Sequence, residues 1–205
     1  MIRKTLCLYK YPEYLKKVYY KFFLPVYLKL SGVSCLGRIN IVGKPIITLN
    51  AHSRIILKEN VTLCSDSKYT DLGVNHPVVL RTLRANAEII IGSFTGISGG
   101  SFCAFSSIII GNNCLIGANV TISDSDFHSL KPQNRRFNVN EEDIMTSPVV
   151  LEDNVFVGTG SIILKGVTVG ENSVIGAGSV VTKNIPSNCI YAGNPAKLIK
   201  SLSVL

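Results

Sequence analysis

From Val149 to Val181 aliphatic residues return at every sixth position: Leu151, Val157, Ile163, Val169, Ile175 and Val181. Four residues after each of the first five stands Val155, Ser161, Val167, Ser173 or Ser179, all small or β-branched. Gly158, Gly170 and Gly176 directly follow three of the aliphatic positions. Six is not a helical period, but it is a multiple of two, so an extended chain puts these residues on one side. One copy cannot bury that side alone, and successive copies must stack. The pattern predicts a three-faced prism. Six residues make a face, about three faces make a coil, and neighbouring coils pair as parallel strands around an aliphatic interior. Glycine and asparagine near the corners tolerate the turn geometry.

Elsewhere the pattern is less regular. Short aliphatic pieces begin near Leu36, at Ile39–Val42, Ile46–Leu49, Arg54–Leu57 and Val61–Leu63. Polar and turn-forming residues over 64–86, including Asn75-His76-Pro77, read as an excursion. The hexad returns at Ile89–Gly92 and continues through Ile97, Cys103, Ile110, Ile116 and Ile122, with one extra residue between Cys103 and Ile110. A second excursion, 123–147, is polar and far too long for a tight turn. Such excursions in a compact repeat carry function. At the N-terminus, Leu15, Val18, Tyr19, Phe22, Phe23, Val26, Tyr27 and Leu30 fall at helical spacings, predicting an amphipathic helix over 11–30 that Pro25 kinks or ends. The tail predicts a short helix over Ala196–Leu202. The expected organisation is a basic helical segment (1–34), a β-helical domain (35–183) and a C-terminal loop with its helix (184–205).

Composition narrows the class. The chain has 205 residues, 46% hydrophobic and 17% charged, which suits one folded domain. Its net charge is +8, but Arg3, Lys4, Lys10, Lys16, Lys17, Lys21 and Lys29 face only Glu13 within the first thirty residues. A charge so localised argues against nucleic acid as a partner. It leaves two roles for the helix: a cover for the open end of the solenoid, or a contact with an anionic membrane surface. No apolar run approaches the ~20 residues of a membrane span. The six scattered cysteines form no CxxC pair and do not read as a disulfide framework, which points to a cytoplasmic location. Cys103 and Cys114 occupy repeat positions where burial is expected.

The runs Ile-Gly-Asn-Asn-Cys-Leu-Ile-Gly-Ala-Asn-Val and Val-Gly-Glu-Asn-Ser-Val-Ile-Gly-Ala-Gly-Ser-Val-Val resemble the hexapeptide-repeat acyltransferases. Together with Asp126-Phe127-His128, Ile185-Pro186 and Ala192-Gly193-Asn194-Pro195-Ala196, they resemble its maltose/galactoside-type O-acetyltransferase branch, and within it the bacterial polysaccharide O-acetyltransferases. The resemblance covers about residues 88–200. It implies an all-β fold, a left-handed parallel β-helix, which departs from the right-handed crossover rule. It further implies a homotrimer, acetyl-CoA as donor and an active site between subunits. The acidic substrate-contacting segment of the sugar acetyltransferases is not evident at the N-terminus. That favours a larger or membrane-associated glycan or glycolipid acceptor.

Acetyl transfer from a thioester to a sugar hydroxyl needs a base, because the hydroxyl pKa lies far above neutral. Histidine suits the task. His128 sits in the second excursion and matches the family's catalytic histidine. Asp126, Asp124, Glu142 or a backbone carbonyl are alternatives for orienting it. His76 and Asn75, in the other excursion, are candidates for contact with the acceptor. Arg135 and Arg136 fit an anionic acceptor, the cofactor phosphates, or an ordinary solvated loop. His52 reads as a plain exposed residue. The resemblance places the pantetheine arm along Thr159, Gly160, Ala177 and Thr182, and nucleotide phosphates at Lys183 and Lys200. No metal is expected, since the three histidines lie in dissimilar contexts. N-acetylation of an amino sugar nucleotide makes the same demands on His128, and a β-helical scaffold without catalysis is the non-enzymatic alternative.

Overall fold

The structure is a computed structural model that describes residues 2–133, 135–137 and 140–202, with side chains from Glu13 onward. The hexad winds into a parallel β-helix, of the left-handed type that the resemblance implies. Three sheets make the three faces. The first holds Ser34–Cys35, Arg54–Leu57, Glu88–Ile91, Ser107–Ile110, Val149–Leu151 and Thr168–Val169. The second holds Asn40–Val42, Thr62–Cys64, Gly96–Ser98, Leu115–Ile116, Phe156–Val157, Val174–Ile175, Cys189–Ala192 and Lys197–Ser201. The third holds Ile46–Thr48, Val79–Thr82, Ser101–Ala104, Thr121–Ser123, Ile162–Ile163 and Val180–Val181. All pairings are parallel except the last in the second sheet.

Register makes the hexad into a core. The inward column of the third sheet runs Ile47, Leu80, Phe102, Ile122, Ile163 and Val181, each opposite the next. Every member of the clean repeat is at most 1% exposed, and the small positions between them are buried as well. Burying each such aliphatic side chain contributes about 1.5–3 kcal/mol. The inward serines keep their hydroxyls satisfied locally: Ser161 Oγ donates to Gly176 O at 3.0 Å and Ser173 Oγ to Pro186 O at 2.7 Å. Gly158 must lack a side chain, because a Cβ there would lie 2.5 Å from the amide nitrogen of Ala177 in the next coil.

The position filled in the middle coil is Phe102, not Cys103. Phe102 is fully buried, while Cys103 points outward and is only half-buried. The large apolar ring takes the interior because no smaller neighbour fills it as well. From Phe102 to the next inward column position, Ile110, the count is eight residues, so the corner holds two more than the hexad. Cys114 is buried as expected. Val79–Thr82 falls inside the 64–86 stretch and joins the third sheet.

The N-terminal helix spans Ile2–Leu30 and runs through Pro25. A proline inside a helix costs about 3 kcal/mol. Leu24 and Leu28, both fully buried against the first coil, hold the helix in place across it. The expected C-terminal helix is absent: Lys197–Ser201 is a strand, antiparallel to Cys189–Ala192. Gly193, at φ +104°, lets the chain turn back. Seven residues make about two helical turns, too short to be stable alone, whereas the free edge of the second sheet offers a hydrogen-bond ladder.

Candidate active site

Both excursions flank the outer face of the third sheet. The first leaves the second sheet after Cys64 and returns at Val79. Its 3-10 turn, Ser67–Tyr69, is tied to the N-terminal helix. Tyr20 donates to Asp66 at 2.8 Å, Tyr69 donates to Glu13 at 3.0 Å, and Lys16 and Lys68 pair with Asp66 and Glu13. These donors hold both carboxyls below the ordinary carboxylate range, led for Asp66 by the Lys68 amide and for Glu13 by the Lys68 side chain. The second excursion leaves the C-terminal end of Thr121–Ser123 and returns at Val149. Alternation along the strands points Val79, Arg81, Ser101, Cys103, Thr121 and Ser123 outward between the two.

His128 lies exposed on the turn that opens the second excursion, its amide donating to Asp126 O at 2.7 Å. Its ring makes no hydrogen bond among the described residues and is free toward solvent. The residue before it, Phe127, holds φ +60°. A bulky residue in that region costs about 1–3 kcal/mol and persists only where its surroundings enforce it. Here Phe127 packs edge-on against Phe105 with ring centroids 5.6 Å apart, and Arg84 stacks on Phe105 at 5.0 Å. Arg84 also pairs with Glu141, which draws the far end of the excursion back to the sheet.

Two carboxylates under the turn have different tasks. Asp124 is fully buried and accepts the amides of Phe105, Ser106 and Ser107 at 2.7, 2.6 and 2.7 Å. These amides belong to the corner enlarged by two residues, so Asp124 closes that corner and cannot orient His128. Burial pushes its carboxyl up, and the three donors pull it back. Asp126 pairs through Oδ1 with Lys165 at 2.6 Å, while its Oδ2 is buried with no partner among the described residues. Glu142 is exposed, its amide capped by Asn140.

His76 is held on both ring nitrogens: Nδ1 lies 2.6 Å from Asn75 Oδ1 and Nε2 lies 2.9 Å from Ser101 Oγ. Asn119 Oδ1 accepts the Asn75 amide at 2.9 Å, which fixes the loop to the corner before Thr121. His52 is exposed, as read from the sequence. Arg135 is turned back on its own loop, donating to Leu130 O at 2.8 Å, and Arg136 stacks on Phe137.

The residues expected at the cofactor separate onto two edges of the third sheet and one outlying strand. Thr159, Gly160 and Ala177 share the corner between the second and third sheets; Gly160 has φ +67° and open space where a Cβ would be. Thr159 Oγ1 donates to Ala118 O at 2.7 Å, and its carbonyl accepts Gly178 N at 2.8 Å. Thr182 and Lys183 lie beyond the opposite end of Val180–Val181, at the edge where Lys165 meets Asp126. Between the edges, Ile162 and Leu164 stand 38% and 40% exposed, an apolar strip. Lys200 lies apart from both edges, on the last strand of the second sheet.

Sequence reading missed Lys165, Ser101 and Arg81. No spacing marks them, because each enters the site only through strand register or a turn; Ser101 carries a signal only once His76 is known to cross the sheet.

Comparison with known proteins agrees with the geometry. Residues 107–123 and 148–183 match the family model described as the hexapeptide repeat of succinyl-transferase. The chain is 38% identical over 116 residues to a polysialic acid O-acetyltransferase of Escherichia coli, over 56% of this chain and 36% of that one. Among solved structures it resembles the polySia specific acetyltransferase NeuO, with TM-score 0.55 and 27% identity over 84% of this chain and 77% of the other. A hexapeptide-repeat acetyltransferase of Vibrio cholerae complexed with acetyl-CoA shares the fold, with TM-score 0.53 and 22% identity over 92% and 84% of the two chains. The chain spans about half or less of the length of the curated relatives it matches. By its repeat, its coil and these relatives, the chain is similar to the hexapeptide-repeat acyltransferases.

Proposed function

We propose that this protein is an acetyl-CoA-dependent O-acetyltransferase acting on a sugar hydroxyl of a surface polysaccharide or its precursor. The observation that carries this reading is His128: exposed, on an enforced turn two residues from Asp126, with neither its ring nor the buried Asp126 Oδ2 making a hydrogen bond among the described residues. A ring nitrogen of His128 takes the proton of the acceptor hydroxyl as its oxygen attacks the thioester carbonyl. The coenzyme A thiolate leaves and recovers that proton from the imidazolium. Asp126 Oδ2 accepts the other ring N–H once the imidazole turns toward it, which fixes the tautomer and stabilises the cation. The pantetheine arm follows the apolar strip of Ile162 and Leu164 between the Thr159–Ala177 corner and Lys183. Lys200, away from that path, meets only a nucleotide end that wraps around the coil. The polysialic acid relative supports a glycan acceptor.

A titration with coenzyme A tests the reading directly. A ligand bound only by the folded protein raises the melting temperature; at a hundredfold excess over Kd the gain is about 2.7 kcal/mol. An unchanged melting curve at millimolar coenzyme A would favour the scaffold alternative and end the enzymatic one.

Exposed apolar surface supports a homotrimer. Leu115 is 60% and Phe156 44% exposed, side by side on the outer row of the second sheet, and a neighbouring subunit of a homotrimer would cover them. Among the described residues no helix is long and apolar enough to cross a membrane. The N-terminal helix instead has a second apolar face, opposite the buried one. Leu15, Tyr19, Phe22, Phe23, Val26 and Leu30 are exposed along it, with Lys16, Lys21 and Lys29 at its margins. Arg3, Lys4 and Lys10 have side chains outside the described residues. Such a face suits the anionic cytoplasmic surface of a membrane, where a lipid-linked glycan precursor is presented. The variant with Phe22, Phe23 and Val26 all changed to serine is expected to lose most co-sedimentation with vesicles containing 30% phosphatidylserine. Unchanged sedimentation would leave the helix a purely structural cover.

A further inference from the structure

We propose that Arg81 and Ser101 form an acceptor subsite for an acidic sugar on the outer face of the third sheet: Arg81 receives a carboxylate or phosphate, and Ser101 receives a hydroxyl or amine of the same sugar. The inference deepens the acyl-transfer reading and rests on it for the word acceptor; the binding chemistry stands on its own residues.

Arg81 points outward from Val79–Thr82, exposed, with Cys103 opposite it on the next strand and Ser123 beyond. It has no acidic partner among the described residues. The carboxylates around it are engaged elsewhere: Asp124 by three amides, Asp126 by Lys165, Glu141 by Arg84 and Asp143 by Lys131. An uncompensated guanidinium on the floor between two excursions offers five donors in a plane, matched to a carboxylate or phosphate.

Ser101 supplies the opposite chemistry. Asn75 Oδ1 can only accept, so His76 Nδ1 donates to it, and Nε2 is left as an acceptor for the Ser101 hydroxyl proton. The lone pairs of Ser101 Oγ therefore remain for a donor from outside, such as a sugar hydroxyl. Register fixes the spacing. Ser101 is opposite Val79, so Arg81 lies one strand over and two residues along, roughly 8 Å away by strand spacing and rise. That is the span of a single sugar ring with its substituents. The tie between Asn75 and Asn119 keeps His76 in this position.

The test is binding, measured by saturation-transfer NMR without acetyl-CoA. The probes are oligoglucuronate, its methyl ester, mannose 6-phosphate and mannose. The wild type is expected to prefer each acid to its neutral counterpart. Arg81→Gln should weaken both acids at least tenfold, the size of a lost charge-assisted pair, and leave the neutral sugars unchanged. Ser101→Ala should weaken acids and neutral sugars alike. The carboxylate and phosphate arms identify which anion is held. Equal binding of acid and ester by the wild type, or wild-type binding of the acids by Arg81→Gln, overturns the subsite. Loss of the coenzyme A thermal shift with Arg81-dependent binding intact would instead overturn acyl transfer and leave the subsite standing.

Discussion

Replacing His128 by alanine is expected to lower kcat by a hundredfold or more while the fold and the coenzyme A thermal shift survive. The magnitude is that of a general base removed from its reaction. The ring makes no hydrogen bond among the described residues, so its loss leaves no buried group unsatisfied. The measurement is thiol release from acetyl-CoA in the presence of acceptor, with circular dichroism as the check on folding. A variant retaining more than half of wild-type kcat would remove His128 from the chemistry. Asp126→Asn provides a graded comparison. It weakens the pair with Lys165 and replaces the unpartnered oxygen by a neutral amide. A smaller fall in kcat, with the pH–rate profile displaced toward lower pH as the imidazolium loses its stabilising charge and gives up its proton more readily, is expected if Asp126 orients the base.

Asp124→Ala should be the more damaging change to stability. The side chain is fully buried and serves three amide donors within 2.7 Å. Each donor left unsatisfied costs about 1–3 kcal/mol, so the total expected loss is about 3 kcal/mol or more. At the size of this chain that corresponds to a melting temperature lower by roughly 10 °C. Urea unfolding measures it, and a loss under 1 kcal/mol would show that the corner refills with water. Because the Phe105–Ser107 corner supports Phe105, and Phe105 supports Phe127, the variant should also lose activity at temperatures where most of it remains folded.

Much of the architecture can be read from residues alone. The six-residue return of Leu151 through Val181 leaves few alternatives to a stacked coil, and the structure buries every one of those side chains. Reading failed where tertiary packing outweighs local pattern. Cys103 keeps the period by count, yet Phe102 takes the interior because the larger ring fills it. Ala196–Leu202 has mild helical character, yet the open edge of Cys189–Ala192 claims it. The residues of the candidate site were partly marked in the sequence: His128, Asp126 and His76 stand in excursions that no repeat explains. Arg81, Ser101 and Lys165 remained hidden, because they meet the other residues only after strands far apart in the chain are laid side by side. Arg135 was legible as a cation, but its guanidinium turns back to donate to Leu130 O within its own loop.

The contacts between Glu13, Tyr20 and residues 66–69 have a practical consequence. The helix that would dock on lipid also steadies the segment that leads to His76. Cutting away the first thirty residues to obtain a more soluble enzyme would loosen sugar recognition along with surface attachment. Engineering that aims to keep turnover should therefore trim only the outward aromatic side chains and retain the helix as a strut.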